Sequence, residues 1–293
     1  MESLFLSKVV QFIFSGLSSG SIYALVALGF DIIYNTTLVV NLAQGEFLML
    51  GAMTMISFHG VFKLSIPFAL PLSTLVVGCT GILFDRLVIR PLRKPSIMLL
   101  ILLTLGGSTF LKGVALLIWG KDPYSAPTFM RTRSISVLGA SFSPQILWVI
   151  GTLAVISILL WFFFERTLFG KAMKACAENP RAASLMGVNV KTLVMISYFL
   201  GGAIGALGGM VIAPISFMVY DEGTMIGLKG FASAVLGGVG SYPGAVVGGL
   251  VLGLLESLST GYISSIFKDV LAFVVLLLIL VIKPSGLMKR AEE

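Results

Sequence analysis

The chain has 293 residues, 57% of them hydrophobic and 11% charged, which is under half the charged share of an ordinary soluble domain. A water-soluble globular fold is excluded, and the formal charge of +7 is too unevenly placed to describe a nucleic-acid-binding face. Of the 20 Lys and Arg, twelve stand in three places: Arg86, Arg90, Arg93 and Lys94; Arg166, Lys171, Lys174, Arg181 and Lys191; Lys283, Lys289 and Arg290. The positive-inside rule makes these the cytoplasmic loops and tail of an all-α, polytopic membrane protein.

Apolar runs predict eight spans, at about 9–33, 45–61, 64–84, 96–118, 145–164, 192–218, 244–265 and 268–283, matched to a hydrocarbon core of about 30 Å. The first follows Lys8 and runs well past the roughly 7 to 15 residues of a signal-peptide core, so it reads as a membrane helix. Between the first two spans, "NTTLVVNLAQGEFLMLG" places Asn35, Asn41, Gln44 and Glu46 where a short charged loop is ordinary. Two readings stand. Asn41, Gln44, Gly45 and Glu46 line a translocation pathway, with amides and a carboxylate for the two charges of a zwitterion. Alternatively, Asn41 caps the helix that begins near Gly45, and Glu46 in its first turn complements the helix dipole.

His59 has no His or Cys partner at ligand spacing, so no metal site is expected. Cys79 lies in a span and Cys176 in a basic loop, at different levels of the membrane, and both are expected to remain thiols. The outer segment 120–144 carries Lys121, Arg131 and Arg133, which weakens the charge asymmetry without reversing it. In the loop 165–191, Asn179 suits an N-cap, Pro180 the first helical position and Gly187 the C′ position, which predicts a helix over 180–186. Flanked by Lys174, Arg181 and Lys191 and presenting Leu185 and Met186, it is either a docking element or a solvated connector.

Helix 192–218 exits and helix 244–265 starts inside, so residues 223–242 must return across the membrane. That segment, "GTMIGLKGFASAVLGGVGSY", is too Gly-rich to be expected as a full regular helix. With the opening stretch it makes two broken segments, one in each half, the sequence pointer to a transport site built from discontinuous helices. "GSIYAL" at 20–25 and "GAIGAL" at 202–207 share G-x-I-x-A-L on helices of opposite direction, a faint inverted repeat. The cluster from Gly237 and Gly238 to Gly253 is either a functional bend or close packing. Glu256, deep in a span, must find a partner in the bundle: an interhelical bond or the solute.

There is no phosphate loop, since "GGSTFLKG" has the wrong spacing and lies in an apolar span, so the chain is not expected to hydrolyse ATP. No H-E-x-x-H pattern and no G-x-S-x-G nucleophile elbow supports an intramembrane enzyme, since "GLSSG" at 16–20 lies within the first apolar span. A self-powered secondary transporter would suit an inverted repeat and a midplane carboxylate, but it has no use for a capped loop helix.

The segment "AENPRAASLMGVN" resembles the coupling loop of permease subunits of bacterial ABC importers for branched-chain amino acids, and "AASLMG" fits the AA-x-x-x-G core of the wider permease loop signature. "GLSSGSIYALVALGFDIIYNTTLVVNLAQGEFLMLGA", "GFASAVLGGVGSYPGAVVGGLVLGLLES" and "KPSGL" are similar to further family blocks. Gln44 stands where the family commonly has His. The opening block resembles the shorter, H-type member of the two paired permeases. The resemblance implies one permease domain over 1–293 with a coupling loop at 165–191, in which Asn179, Pro180, Arg181, Ala182, Ala183, Leu185, Met186 and Gly187 meet an ATPase. It implies a second related permease, an extracytoplasmic substrate-binding protein and two cytoplasmic ATPases that carry ATP and Mg, with no cofactor on this chain. It places the chain in the bacterial cytoplasmic (inner) membrane with its C-terminus inside. The family also includes permeases for urea and short amides, so the resemblance leaves the solute open.

Overall fold

A computed structural model describes residues 2–92, 96–130, 134–137, 139–262, 268–283 and 286–288. Arg93, Lys94, Arg131, Arg133, Lys289, Arg290 and the last residues of the expected span 244–265 lie outside the described residues. Eleven α-helices are described: α1 (Glu2–Thr37), α2 (Gln44–Gly60), α3 (Ile66–Phe84), α4 (Ile97–Trp119), α5 (Gln145–Arg166), α6 (Leu168–Glu178), α7 (Pro180–Leu185), α8 (Val190–Ile212), α9 (Glu222–Gly237), α10 (Tyr242–Tyr262) and α11 (Lys268–Ile282). A π turn, Asp85–Ile89, extends α3, and the strands β1 (Ile135–Val137) and β2 (Ala140–Phe142) pair antiparallel in the segment before α5.

Among the described residues, six helices are long and apolar enough to cross a membrane: α1, α3 with its π turn, α4, α5, α8 and α10. The protein is a polytopic helical membrane protein. Of the eight expected spans, 45–61 and 268–283 appear as the shorter α2, with 17 residues, and α11, with 15. The span expected to end at 218 stops at Ile212, because Pro214 has no N–H with which to continue the helix. The carbonyls left at that end are taken from outside: Gln145 Nε2 donates to Val211 at 3.0 Å and the Ala126 N–H to Ala213 at 3.2 Å.

The return segment is the clearest departure from expectation. Residues 222–237 form a regular helix rather than broken backbone. Their glycines serve approach: a Cβ on Gly230 would strike Val26, and one on Gly237 would strike the backbone of Gly244. The irregular backbone lies instead before each of the two short helices, at 38–43 ahead of α2 and at 213–221 ahead of α9. In the first stretch Leu38 takes a φ of +55°, and the polar groups close locally: Leu38 N–H to Tyr34 O, Val39 N–H to Thr37 Oγ1 and Ala43 N–H to Asn41 Oδ1. Such closure is what permits non-helical backbone inside a membrane bundle.

Packing directions repeat between the halves. α1 runs against α10, with Gly16 beside Leu254 and Gly20 beside Gly249 and Leu250; α8 runs against α3, with Tyr198 beside Gly81 and Gly202 beside Val77. α2 lies parallel to α8, Gln44 at Gly201 and Leu48 at Gly209, as α9 lies parallel to α1, Gly230 at Val26 and Gly240 at Asn35. Gly20 and Gly202, the first residues of the two G-x-I-x-A-L stretches, thus hold equivalent places in an inverted arrangement. The buried core follows these helices: residues 20–33 of α1, 44–53 of α2 and 201–206 of α8 are buried throughout. α3, α4, α5 and α11 turn large apolar side chains outward, Leu75, Phe110, Ile158 and Leu277 among them, as lipid contact requires.

Candidate translocation and coupling sites

α2 begins beside Gly201, at the middle of α8, so its first turn lies deep in the bundle. There it crosses the first turn of α9. A Cβ on Gly45 would run into the Gly223 carbonyl oxygen and Gly227 Cα, and one on Gly223 would meet the Gly45 carbonyl oxygen at 2.6 Å. Two short helices of opposite direction therefore start against each other through paired glycines, the geometry of half-helices meeting near a membrane midplane.

Glu46 ties this crossing together. Its Oε1 accepts from Ser108 of α4 and Thr224 of α9, each at 2.9 Å, and the residue is buried. Gln44 is buried and donates through Nε2 to the Gly201 carbonyl at 2.8 Å. Asn41 is also buried, but it does not cap α2: the N-cap is Ala43, and the Asn41 side chain closes a turn two residues earlier on the Ala43 N–H. Asn35 acts elsewhere, donating to the Gly240 carbonyl at 2.8 Å while Asp31 Oδ1 accepts from the Gly240 N–H at 2.8 Å. These two α1 side chains clamp the α9–α10 turn, whose Gly238 and Gly240 adopt φ of +102° and +88°. Gly237 and Gly238 sit at the end of the bundle that carries the basic regions, under the segment 286–288: Leu287 N–H donates to Leu236 O and Met288 N–H to Gly237 O.

Glu256 is buried and makes interhelical bonds, accepting from the Tyr23 hydroxyl at 3.0 Å and from Lys229 Nζ at 3.1 Å. Lys229 also pairs with Asp269 of α11 at 2.7 Å and lies 5.6 Å from the Tyr23 ring centre. Lys229 does not stand out in the sequence, because a single Lys within a Gly-rich stretch reads as part of an irregular return. Its signal is Glu256, a carboxylate deep in a span, which obliges the bundle to supply a cation. Beside this cluster is a cavity of about 600 Å³ at the end opposite the basic regions, lined by Tyr23, Glu222, Lys229, Asp269 and a run of serines, with an aliphatic wall. Gln44 and Glu46 do not line it.

The loop 165–191 holds two helices, not one. α6 is amphipathic, with Gly170, Met173 and Cys176 buried at i, i+3 and i+6, a spacing legible in the sequence but not read there. Burial pushes the Cys176 thiol up. In α7, Asn179 Oδ1 accepts from the N–H groups of Arg181 and Ala182 at 3.1 and 3.0 Å, Pro180 opens the helix, and Gly187 follows it with a φ of +86°. Ala183 is buried, whereas Leu185 and Met186 are 89% and 85% exposed.

The family model of the branched-chain amino acid transport system permease component matches residues 12–280. The chain belongs to that permease family. It is 30% identical to the high-affinity branched-chain amino acid transport system permease protein LivH of Salmonella typhimurium, over 97% of this chain and 96% of that protein. It is 29% identical to the corresponding protein BraD of Pseudomonas aeruginosa, again over 97% and 96%. Among solved structures, a chain of PsaBC from Streptococcus pneumoniae, in complex with Fab, aligns with a TM-score of 0.53 at 14% identity over 97% of each chain, a likeness of fold. As a member of this family, the permease has its half-helix crossing at the middle of the bundle and its capped loop helix at the basic end, joined by α8.

Proposed function

We propose that this permease is one of two related membrane subunits of an ATP-driven importer of branched-chain amino acids. Two ATPases carry ATP and Mg on the side of the basic regions, and an extracytoplasmic protein delivers solute to the opposite side, in the bacterial cytoplasmic membrane with the C-terminus inside. The observation that carries the coupling part is α7, a capped helix that holds Leu185 and Met186 almost fully in the open at the basic end. Two large apolar side chains in water mark a surface that fits a partner's groove, and a chain without a phosphate loop is consistent with an ATPase as that partner. Ala183 anchors α7 from behind, while Arg181 flanks the presented face. Force delivered there passes directly into α8, which begins four residues after Met186 and reaches the crossing at Gly201.

In this reading Asn41, Gln44, Gly45 and Glu46 frame the pathway at the crossing of α2 and α9, Gly237 and Gly238 set the turn at its basic end, and Glu256 anchors the charges at the opposite end. The test is site-directed cross-linking of Leu185→Cys, in a background lacking Cys79 and Cys176, to cysteines on the ATPases of the purified complex. Cross-links that change in yield with ATP support the reading; none at any ATPase position, in complexes that still transport, overturns it.

A further inference from the structure

Resting on the reading of this chain as an amino-acid permease, we propose that the cavity of about 600 Å³ at the end away from the basic regions is a holding site for an aliphatic α-amino acid, which Lys229, Asp269 and Glu222 bind by both of its charges.

The wall divides by chemistry. Ile22, Ile146, Ile212, Ile215, Met225 and Ile226 supply an aliphatic side; Tyr23, Ser19, Glu222, Lys229 and Asp269 supply a polar side. A zwitterion with a branched apolar side chain needs both: groups that replace water around an ammonium and a carboxylate, and a surface for the side chain. The volume lies within the range of about 300 to 1,000 Å³ usual for small-molecule sites.

The ion pairs are arranged for exchange. Lys229 bridges carboxylates on two helices, Glu256 at 3.1 Å and Asp269 at 2.7 Å. Glu256 is buried and also takes the Tyr23 hydroxyl, so this contact is fixed at the back. Asp269 is 52% exposed at its side chain and is the replaceable partner. An entering amino acid places its carboxylate on Lys229 and its ammonium on Asp269, with Glu222 on the same wall. One ion pair becomes two, and no charge is left alone in a dry bundle. A solute with only a carboxylate takes Lys229 from Asp269 and gives Asp269 nothing in return, and one with only an ammonium leaves Lys229 with Glu256 alone, so the site discriminates for the zwitterion. Because Lys229 and Asp269 re-form their own pair when the solute leaves, release does not require hydration of a bare buried cation. The site also reaches the transport machinery, since Glu222 and Met225 belong to the first turn of α9, where it crosses α2.

The complex with its paired permease and ATPases, in nanodiscs without the binding protein, tests this through equilibrium binding of tritiated leucine. Saturable binding is expected, and 4-methylpentanoate and isoamylamine, each lacking one charge, should compete about tenfold less well or worse. Asp269→Asn and the cavity-filling Met225→Trp should each weaken leucine binding by about tenfold or more, with Asp269→Glu restoring it. Co-purification with the ATPases in wild-type proportion shows that the variants assemble. Unchanged binding in both variants, or no binding to a complex that imports leucine once the binding protein is added, overturns the holding site and leaves the permease reading standing. A complex that imports no aliphatic amino acid even with the binding protein overturns that reading, and the holding site with it.

Discussion

Glu46 shows what one carboxylate does inside this bundle. Its Oε1 accepts two hydroxyl groups from two other helices, so it joins α2, α4 and α9 at the crossing. Glu46→Gln keeps a carbonyl acceptor in the same place and is expected to assemble normally. Glu46→Ala leaves the Ser108 and Thr224 hydroxyls without that acceptor, at about 1–3 kcal/mol for each group that stays buried and unpaired, and should lower the melting temperature of the purified complex. Uptake by Glu46→Gln separates framing from solute contact: near-normal uptake supports the framing role, and a sharp loss in assembled complexes would make the charge itself part of the pathway. The residue scale is also where the sequence was least legible. Asn35, Asn41, Gln44 and Glu46 stand out together in the chain, yet each serves a different contact. Asn35 reaches a turn 205 residues away, Gln44 a carbonyl 157 residues away, and Asn41 closes its own loop. Only long-range packing decides among such partners, and a local pattern does not contain it.

Among the elements, α7 was readable in full because a cap, a proline and a glycine are local signals, each with its own steric cause. Gly187→Val forces a β-branched residue into a left-handed conformation where nothing crowds the Cβ, so the strain is conformational alone. It should leave expression intact and reduce both ATPase co-purification and uptake. Asn179→Ala removes the acceptor for two N–H groups and should loosen the same helix by roughly 0.5–2 kcal/mol, measurable as faster amide exchange over 180–185. α9 was misread because glycine has two uses. Counted as a helix breaker it argues for irregular backbone; in a bundle it lets backbones touch. Gly45→Val separates these uses, since its side chain would meet the Gly223 carbonyl and Gly227 Cα, both backbone. The expected outcome is loss of assembled complex, whereas Gly113→Ala on α4, where a Cβ meets nothing within 4 Å, should be silent in the same pull-down.

At the scale of the whole molecule, the apolar runs and basic clusters located most of the helices and set apart the two ends, because length and charge placement answer to the bilayer alone. The cavity was not legible, since its lining comes from α1, the segment before α5, α8, α9 and α11, brought together only by the fold. The inverted packing of the two halves was present as one six-residue likeness and becomes plain only in which helix leans on which. Orientation has a direct check. In a background lacking Cys79 and Cys176, an impermeant maleimide applied to intact cells is expected to label Ser134→Cys and not Ser184→Cys, both positions being exposed. The reverse pattern would invert the topology and remove α7 from the ATPases. The central claim is that this chain moves solute only when α7 is driven from outside by an ATPase. It is tested most directly by uptake of labelled leucine into proteoliposomes with an imposed ion gradient, with and without the paired permease, ATPases, binding protein and internal ATP. The account expects no uptake by the chain alone, uptake by the full assembly that requires ATP, and loss of that uptake with Gly187→Val; gradient-driven uptake by the chain alone would contradict it.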